Sequence, residues 1–355
     1  MTIYFAGGED IDFTYAAAEP GIDTENGFRP SHARLALYAQ PGLGIALDNG
    51  IETAFPEALS ALWAGFRFSY QGEHGDAGSR PLVAFHDDLA RLGIDLNDSG
   101  TLSVSSLNDE GVRSVLATSS ATLPIGVLSK LDVQIAYAAA GRVYVYLDGV
   151  LILTATGDVR AAGSTSLARM SLHSPSSGTS YLAVSEVLVA DKDTRTLALK
   201  TLVPSAIADA ASWTGAIADI TEVRADGVAA LETVNGDANA VLMANTVIAN
   251  ASIAALKVQA RAARGETGPL SLALGAGTST GHGFAADQAV GTDWVTLSAT
   301  FARNPATNAA WNLSQIADLR ILLGSRGQQA TRIVFEEGGR IMTEDGSGFF
   351  VAERR

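Results

Sequence analysis

The sequence predicts an all-β protein built from antiparallel sandwiches. Residues 131–137 (LDVQIAY) alternate apolar and polar side chains, which is typical of a half-buried strand. Asp148-Gly149 separates two strand-like runs, and its tolerance of left-handed backbone predicts a type I′ two-residue turn. Clusters of Gly, Pro, Asn, Asp and Ser separate the other runs. A parallel sheet would require intervening helices, so the pattern favours antiparallel sheets.

The predicted strands of the first half are short and bounded by turn residues. In chain order they are residues 35–39, 63–69, 82–86, 101–105, 131–137, 141–147, 150–155, 168–172 and 182–190. We assign them to one sandwich that covers residues 1–200. Residues 201–225 are then a connecting segment.

The second half repeats this style without a fixed repeat period, which predicts a second sandwich over residues 226–338 rather than a solenoid. Its predicted strands are residues 252–264, 270–274, 292–301, 319–323 and 331–335. Residues 314–319 predict a short helix capped by Ser314. Residues 339–355 contain two apolar stretches around Glu344-Asp345-Gly346, and they predict a terminal hairpin or a docking arm.

Composition excludes several classes of function. The chain has 355 residues and no cysteine, so disulfides, thiolate metal sites and thiol nucleophiles are excluded. Its net charge of −14 repels phosphate backbones. The best candidate for a basic patch, Arg261 with Arg264, is interpreted as a solvated strand end. Apolar runs such as residues 150–153 are too short to span a membrane. The first residues lack a secretory signal, which predicts cytoplasmic synthesis.

Charged residues make up only 17% of the chain, and the mean hydropathy is +0.18. Ordinary soluble domains contain about 25% charged residues. One interpretation is that part of the surface is buried against other subunits. The other is that a surface rich in Ala, Gly, Ser and Thr is simply common among β-rich proteins.

Patterns in the middle of the chain resemble structural proteins of tailed bacteriophages. These patterns are a Ser-Glu-Val strand, an Ala-Asp-x-x-Thr-Arg turn and a Trp-Thr-Gly…Asp-Ile-x-Glu stretch. The matching residues are Ser185, Glu186, Val187, Ala190, Asp191, Thr194, Arg195, Trp213, Thr214, Gly215, Asp219, Ile220 and Glu222. The similarity continues through the turn at residues 261–269 and through Asn304-Pro305-Ala306-Thr307…Ala310-Trp311, so it covers roughly residues 130–325.

The resemblance implies a concanavalin A-like lectin/glucanase domain, a LamG-like jelly roll, that leads into a second β-domain. It also implies a place in the virion, with other virion proteins as partners. By family analogy the chain is expected to form a homo-oligomer, in particular a trimer. We expect neither nucleic-acid binding nor membrane insertion.

A search for catalytic acids returns no candidate. Hydrolases of this fold carry Glu-x-Asp-x-x-Glu on one strand, where alternate residues share a face. No such spacing occurs here. Glu9, Asp10 and Asp12 come closest, but we expect them to precede any sheet and to form a solvated turn.

Metal and phosphate sites are not predicted either. The histidines stand singly, at His32, His74, His86, His173 and His282. Asp87-Asp88 and Asp95 with Asp98 could supply oxygen ligands to calcium, but they lack the Gly-spaced pattern of a calcium loop, so ordinary turn chemistry is favoured. The pairs Gly7-Gly8, Gly42-x-Gly44 and Gly275-x-Gly277 are turn residues rather than phosphate loops. No cofactor is expected.

Aromatic side chains are weighed separately because exposed Trp and Tyr rings stack on sugars. Phe66 and Phe68 share one face of a predicted strand, whereas Trp63 and Phe66 lie on opposite faces. Trp213, Trp294 and Trp311 stand at or near strand or loop ends, where they can face solvent. For each, packing in the core is the favoured interpretation.

Three functions remain in order of preference. The first is a non-enzymatic virion protein: a tail accessory, a fibre or a head decoration. The second is a glycan-binding adhesin that recognises host surface polysaccharide, and the third, a remote one, is a glycoside hydrolase. Residues 2–5 and 348–352 are candidate anchors that could add to a neighbour's sheet. The alternative is that both segments complete sheets of their own chain.

Overall fold

The structure is a computed structural model in which two compact units, Met1–Thr201 and Leu202–Arg355, are described separately. It describes residues 1–7, 13–15, 22–23, 35–38, 50–71, 80–110, 112–161, 163–173, 181–199, 202, 204–220, 230–244, 251–265, 268–327, 333–335 and 341–343. Every pairing between its named strands is antiparallel. The predicted all-β class is confirmed.

The first unit is a two-layer jelly-roll sandwich, with fifteen strands among its described residues. They are β1 (Ile3–Gly7), β2 (Thr14–Tyr15), β3 (Ile22–Asp23), β4 (Leu35–Tyr38), β5 (Gly50–Leu59), β6 (Ala61–Gln71), β7 (Arg80–His86), β8 (Ala90–Leu96), β9 (Thr101–Leu107), β10 (Arg113–Thr122), β11 (Ser129–Ala136), β12 (Gly141–Leu147), β13 (Val150–Gly157), β14 (Leu167–His173) and β15 (Tyr181–Ala190). One sheet has the order β13-β12-β11-β6-β15-β4-β3, with β1 also paired to β15. The other sheet has the order β10-β9-β8-β7-β14-β5-β2.

A single apolar core lies between the two sheets. Period-2 alternation places Leu131, Val133 and Ile135 of β11 in it, and likewise Phe66 and Phe68 of β6. Burial of apolar surface between the sheets is the main stabilising contribution of such a sandwich. The sandwich places the intervening polar residues of each strand on the outer faces of the sheets.

The hairpin between β12 and β13 has the predicted turn. Leu147 pairs with Val150, so Asp148 and Gly149 are the only turn residues. Both have positive φ, 49° and 82°, as a type I′ turn requires.

Strand β1 corrects two expectations about the N-terminal segment. It pairs with β15 in its own sheet, from Ile3 opposite Ala190 to Gly7 opposite Val187. The N-terminal strand therefore completes a sheet of its own chain and is not a free anchor. It also precedes Glu9, so the acids at positions 9, 10 and 12 follow a strand rather than precede any sheet. Those acids lie outside the described residues.

The second unit is a smaller sandwich. Its elements are β16 (Ala206–Asp209), a 3₁₀ turn (Ile217–Ile220), β17 (Asn239–Met243), β18 (Leu256–Ala262), β19 (Ser271–Thr278), β20 (Gly281–Phe284), β21 (Gln288–Ala289), β22 (Val295–Phe301), α1 (Leu313–Ala317) and β23 (Arg320–Arg326). One sheet runs β16-β17-β23-β19-β20, with β21 also on β19, and β18 pairs with β22 in a second layer. Side chains from both layers, including Leu274 and Leu297, form a second core with Ile316 of α1.

Several elements of this unit differ from the prediction. β16 lies within residues 201–225 and pairs with β17, so part of the expected connecting segment belongs to a sheet. The helix begins one residue earlier than predicted, and its cap is Asn312, not Ser314. Asn312 accepts from the backbone N–H of Gln315, whose side chain in turn accepts from the N–H of Asn312, a complete capping box. These two reciprocal hydrogen bonds make Asn312 the cap rather than Ser314, although both residue types favour that position.

A short hairpin precedes Glu344-Asp345-Gly346 of the predicted C-terminal hairpin or arm: β24 (Ile333–Phe335) pairs with β25 (Ile341–Thr343). Residues 344–355, which include the candidate anchor at 348–352, lie outside the described residues. Among the described residues, no helix is long and apolar enough to span a membrane.

Candidate functional site

Charged side chains are buried on the outer face of the eight-stranded sheet. Lys130 and Asp132 alternate with the core residues Leu131 and Val133 on β11, so they point away from the core. They are nevertheless 7% and 0% exposed. We name Arg67, Lys130, Asp132, Glu186 and Thr194 the outer network, because the chain that follows β15 folds back onto this face and binds it.

The covering segment is held by Lys130 and Asp132. The hydroxyl of Thr194 donates to Oδ1 of Asp132 at 2.7 Å. Nζ of Lys130 lies 3.4 Å from the same oxygen and donates to the carbonyls of Thr194, Arg195 and Leu197 at 2.5, 3.2 and 2.9 Å. The ammonium group thus binds three carbonyl oxygens of one irregular segment, of which that of Thr194 also accepts from the backbone N–H of Leu197 at 2.9 Å.

Burial dominates the electrostatics of this pair. It raises the pKa of Asp132, against the hydrogen bond from Thr194 and the charge of Lys130. It lowers the pKa of Lys130, against the charge of Asp132. Gly65 makes room for the carboxylate, since a Cβ there would lie 2.3 Å from Oδ1 of Asp132.

Glu186 forms the second half of the outer network. It lies at an irregularity in the pairing of β15 with β6 and adopts φ of 52°, which is uncommon for a residue with a Cβ. This backbone turns the buried carboxylate toward Arg67, whose Nε lies 3.1 Å from Oε1. The other oxygen accepts from the backbone N–H of Leu199 at 3.3 Å.

Arg195 closes the network at the solvent side. Its guanidinium carbon lies 4.4 Å from the ring centre of Tyr146 and 5.4 Å from that of Trp63, and the two rings stack at 5.7 Å. Its Nη2 also donates to Asp193 at 2.6 Å, and this hydrogen bonding lowers the pKa of Asp193. Residues 185–195, the first part of the resemblance, therefore fasten a covering segment to the sheet.

The second part of the resemblance forms a local turn in the second unit. Thr214 and Glu232 exchange backbone hydrogen bonds of 2.8 Å in both directions. Between them Gly215 has φ of 120°, and a Cβ there would lie 2.7 Å from the carbonyl of Ala230. Asp219 accepts from the N–H of Ala216 at 2.7 Å. Glu222 lies outside the described residues.

The seven-stranded sheet carries a buried hydroxyl between two imidazoles. Oγ of Ser171 on β14 lies 2.6 Å from Nε2 of His86 on β7 and 2.6 Å from Nε2 of His173. A hydroxyl donates one hydrogen bond, so one imidazole accepts from Ser171 and the other donates to it. Burial first, then Arg169, lowers the pKa of His86 to about 4. Burial, His86 and Arg113 lower that of His173 to about 3.

Two of the acids considered as calcium ligands, Asp87 and Asp95, have other partners. Asp87 is paired with Nε of Arg91 at 2.7 Å. Asp95 is buried on β8, where it is paired with Arg113 at 2.8 Å and accepts from the hydroxyl of Ser105. Within the described part of the chain, no group of three His, Cys, Asp or Glu side chains is arranged to hold a metal ion.

An open polar cleft of about 520 Å³ lies on the second unit. Its walls are the turn between β19 and β20, the loop after β22, and helix α1. The lining residues are mostly hydroxyl and amide side chains with one imidazole and one carboxylate: Thr278, Thr280, Gly281, His282, Asn304, Ala306, Thr307, Ser314, Gln315 and Asp318. We name this the unit-2 cleft.

Sequence reasoning did not find this cleft. One wall comes from residues 278–282 and the other two from residues 304–318, which lie more than 20 positions further along the chain, and none carries a recognisable binding motif. The only signal was Asn304-Pro305-Ala306-Thr307, noted for its resemblance and not for binding. It forms a turn, in which Oδ1 of Asn304 accepts from the N–H of Ala306 at 2.9 Å.

The tryptophans divide by environment. Trp311 is buried and donates to the carbonyl of Phe301 at 2.9 Å, as core packing predicts. Trp213 packs against the second core, with its Nε1 buried and without a hydrogen-bond partner. Trp63 lies in the outer stack with Tyr146, so the prediction that it packs in the core is wrong. Trp294 is 41% exposed beside Arg261, so the prediction that it packs in the core is wrong.

Fold and interactions define an all-β protein of two sandwiches in which the recognisable motifs are structural. No family model and no curated protein matches the chain. Among solved structures, it is similar to an endo-β-1,4-glucuronan lyase from Trichoderma reesei, with 14% identity, 54% of this chain and 96% of that chain covered, and a TM-score of 0.42.

Two further solved structures are similar at the same level. Cellulose induced protein Cip1 has 13% identity over 50% of this chain and 87% of its own, with a TM-score of 0.38. The carbohydrate-binding module CBM66 from Bacillus subtilis has 15% identity over 50% of this chain and 95% of its own, with a TM-score of 0.27. These values are too low to transfer a function.

Proposed function

We propose that the protein is a non-enzymatic structural component of a tailed-phage particle, where it assembles with other virion proteins. The observation that carries the proposal is the structural role of the residues whose pattern resembles virion proteins. Thr194 donates to Asp132, Glu186 is paired with Arg67, and Arg195 lies over the rings of Tyr146 and Trp63. The contacts of Thr194 and Arg195 fasten the covering segment to the sandwich. These residues thus have an architectural role in this chain.

The buried acids support the non-enzymatic part of the proposal. A glycosidase needs two carboxyl groups that flank the scissile bond. Among the described residues, the buried carboxylates Asp95, Asp132 and Glu186 each face a cation and have further hydrogen bonds within the fold. We expect no reducing-sugar release from bacterial polysaccharides; release abolished by changing one Asp or Glu would contradict this.

The proposal that the protein assembles as an oligomer rests on its low charged fraction and on the resemblance to virion proteins. We propose a homo-oligomer, a trimer by family analogy, that is anchored by residues 348–352. With β1 already paired to β15, the C-terminal segment is the remaining candidate anchor.

The test is deletion of residues 348–355, with the full chain as the control. The truncated chain should keep its fold by circular dichroism, lose its oligomeric mass in light scattering, and no longer join purified particles. An unchanged mass together with normal particle incorporation would exclude the C-terminal anchor. Absence of the full chain from purified particles, probed with a specific antibody, would exclude the virion role itself.

A second candidate function is binding of host surface glycan, and the unit-2 cleft favours it. Sugar-binding sites combine hydroxyl, amide and carboxylate groups, which pair with sugar hydroxyls, and the cleft presents these groups together. Both functions can reside in one virion protein. A glycan array probed with the full chain tests the second function independently of particle assembly.

A further inference from the structure

We propose that the unit-2 cleft is a binding site for an uncharged pyranose sugar at the level of a mono- or disaccharide. The inference rests on the second proposed function, and it specifies where the glycan binds, which class of sugar binds and which residues contact it. Three features carry it: the construction of the cleft, its hydrogen-bonding groups and its charge.

The cleft is built by a close approach of two backbones. A Cβ at Gly283 would lie 2.9 Å from Cβ of Pro305, and one at Gly281 would lie 3.1 Å from Cβ of Ala306. Glycine therefore lets the β20 strand pack against the loop that carries Asn304. Asn304 itself is 1% exposed and anchors that loop. The result is a preformed recess of about 520 Å³, within the range of about 300–1,000 Å³ found for small-ligand sites.

Hydrogen-bonding groups converge on the recess from all three walls. The hydroxyls of Thr278 and Thr280 lie 3.0 Å apart on one wall, and Thr307 and Gln315 contribute a hydroxyl and an amide from the others. His282 supplies a flat ring, exposed to solvent and held edge-on to Phe284 with ring centres 6.2 Å apart. Hydroxyl-rich ligands need such mixed donors and acceptors, and a flat ring offers a surface on which a pyranose can lie.

Charge selects against acidic sugars. Asp318 lines the cleft, and hydrogen bonds from the hydroxyl and the backbone N–H of Ser279, at 2.5 and 2.9 Å, lower its pKa. The group is therefore an anion at neutral pH. Its Oδ1 lies 3.4 Å from Nη2 of Arg320, which compensates part of this charge. The remaining repulsion of uronates and sialates comes from the carboxylate together with the net charge of −14, while a carboxylate accepts well from neutral sugar hydroxyls.

The experiment is saturation-transfer NMR and calorimetry on the full chain. The probes are glucose, galactose, mannose, N-acetylglucosamine, maltose and cellobiose, with galacturonate and N-acetylneuraminate as anionic comparators. We expect at least one uncharged sugar to bind more tightly than both anions. His282→Ala and Thr280→Val should each weaken that binding about tenfold, the effect of one lost hydrogen bond or stacking contact. Both residues are exposed, so folding should be unaffected.

Trp294→Ala is the matched control, because it removes an exposed tryptophan that immediately precedes β22 and does not line the cleft. It should leave the affinity unchanged. If Trp294→Ala abolished sugar binding and His282→Ala left it intact, the cleft would not be the binding site, although the glycan-binding function would stand. Tighter binding of the anionic sugars would overturn the ligand class. Failure of every sugar on both the NMR panel and the glycan array would overturn site and glycan function together, without bearing on particle assembly.

Discussion

Asp132 is 0% exposed, and its buried carboxylate is stabilised by specific partners. Its Oδ1 faces both Thr194 and Lys130, while its Oδ2 is buried and has no hydrogen-bond partner. Burial of an ion pair costs desolvation energy, and its attraction offsets that cost only while both partners remain. The pair therefore matters most when one member is removed.

Asp132→Ala should destabilise the first unit by about 3–5 kcal/mol, since it leaves the Lys130 ammonium buried without its counter-ion. Urea unfolding followed by tryptophan fluorescence measures this. Asp158→Ala is the matched control, because Asp158 forms an exposed ion pair with Arg160 at 3.1 Å. Its stability should stay close to that of the unchanged protein. Equal effects of the two changes would contradict a special role for the buried pair.

Gly65 is the second residue on which the outer network depends. In Gly65→Ala the new Cβ would meet Oδ1 of Asp132 at 2.3 Å and Oγ1 of Thr194 at 2.9 Å. We expect a loss of about 1–3 kcal/mol, the usual cost of overpacking. Gly265→Ala is the control, because nothing lies within 4 Å of its Cβ position. Combined with Asp132→Ala, the cost of Gly65→Ala should shrink, since the clashing atom is gone.

At the scale of elements, the capping box of α1 decides where a short helix begins. Asn312→Ala removes the acceptor of the Gln315 N–H and should lower stability by about 1 kcal/mol. Ser314→Ala removes only a hydroxyl that donates to Oδ1 of Asn312, and should cost less. Thermal unfolding of both variants measures the difference. A larger effect of Ser314→Ala would restore Ser314 as the effective cap.

Strand elements were predictable to different degrees. β12 and β13 were predicted because their alternation and the Asp148-Gly149 turn are local signals. β8 and β10 were not predicted. β8 does alternate, with Leu92, Ile94 and Leu96 in the core, but the run is short and was overlooked, and β10 is largely polar. Their pairing partners are decided by neighbours in the sheet.

At the scale of the whole molecule, the two buried histidines link the stability of the first unit to pH. The folded pKa values, about 4 for His86 and about 3 for His173, lie below the unfolded value of 6.5. As pH falls below 6.5 the unfolded state binds protons first, so stability is fully present above that pH and is lost as pH falls toward the folded values. Each histidine contributes a slope of up to about 1.4 kcal/mol per pH unit.

Urea unfolding at pH 7, 6, 5 and 4.5 should show this decline for the first unit. His86→Gln should reduce the slope, because it removes one of the two groups while keeping a hydrogen-bonding side chain beside Ser171. This comparison also separates the histidines from Asp95 and Asp132, whose pKa values burial raises and which oppose the decline. A slope that is the same in both proteins would contradict the assignment.

Alternation along a strand places Asp132 on the opposite face from Leu131 and Val133, and Trp63 on the opposite face from Phe66. It does not say that Trp63, for which core packing was predicted, takes the outer face, or what covers either side chain. The covering residues Thr194 and Arg195 are about 60 or more positions further along the chain, and no local pattern reports that contact. Trp294 and Trp311 differ for the same reason: the first stays 41% exposed beside Arg261, while the second reaches the carbonyl of Phe301.

The sequence by itself determined the all-β class, the Asp148-Gly149 hairpin and the faces of strands such as β6 and β11, because period-2 alternation and turn chemistry act between near neighbours. Only the tertiary structure decided the outer network, the imidazole–hydroxyl bridge at Ser171 and the unit-2 cleft. Each of these joins groups from strands or loops that are distant in the chain, and their burial and electrostatics exist only once the sheets have packed.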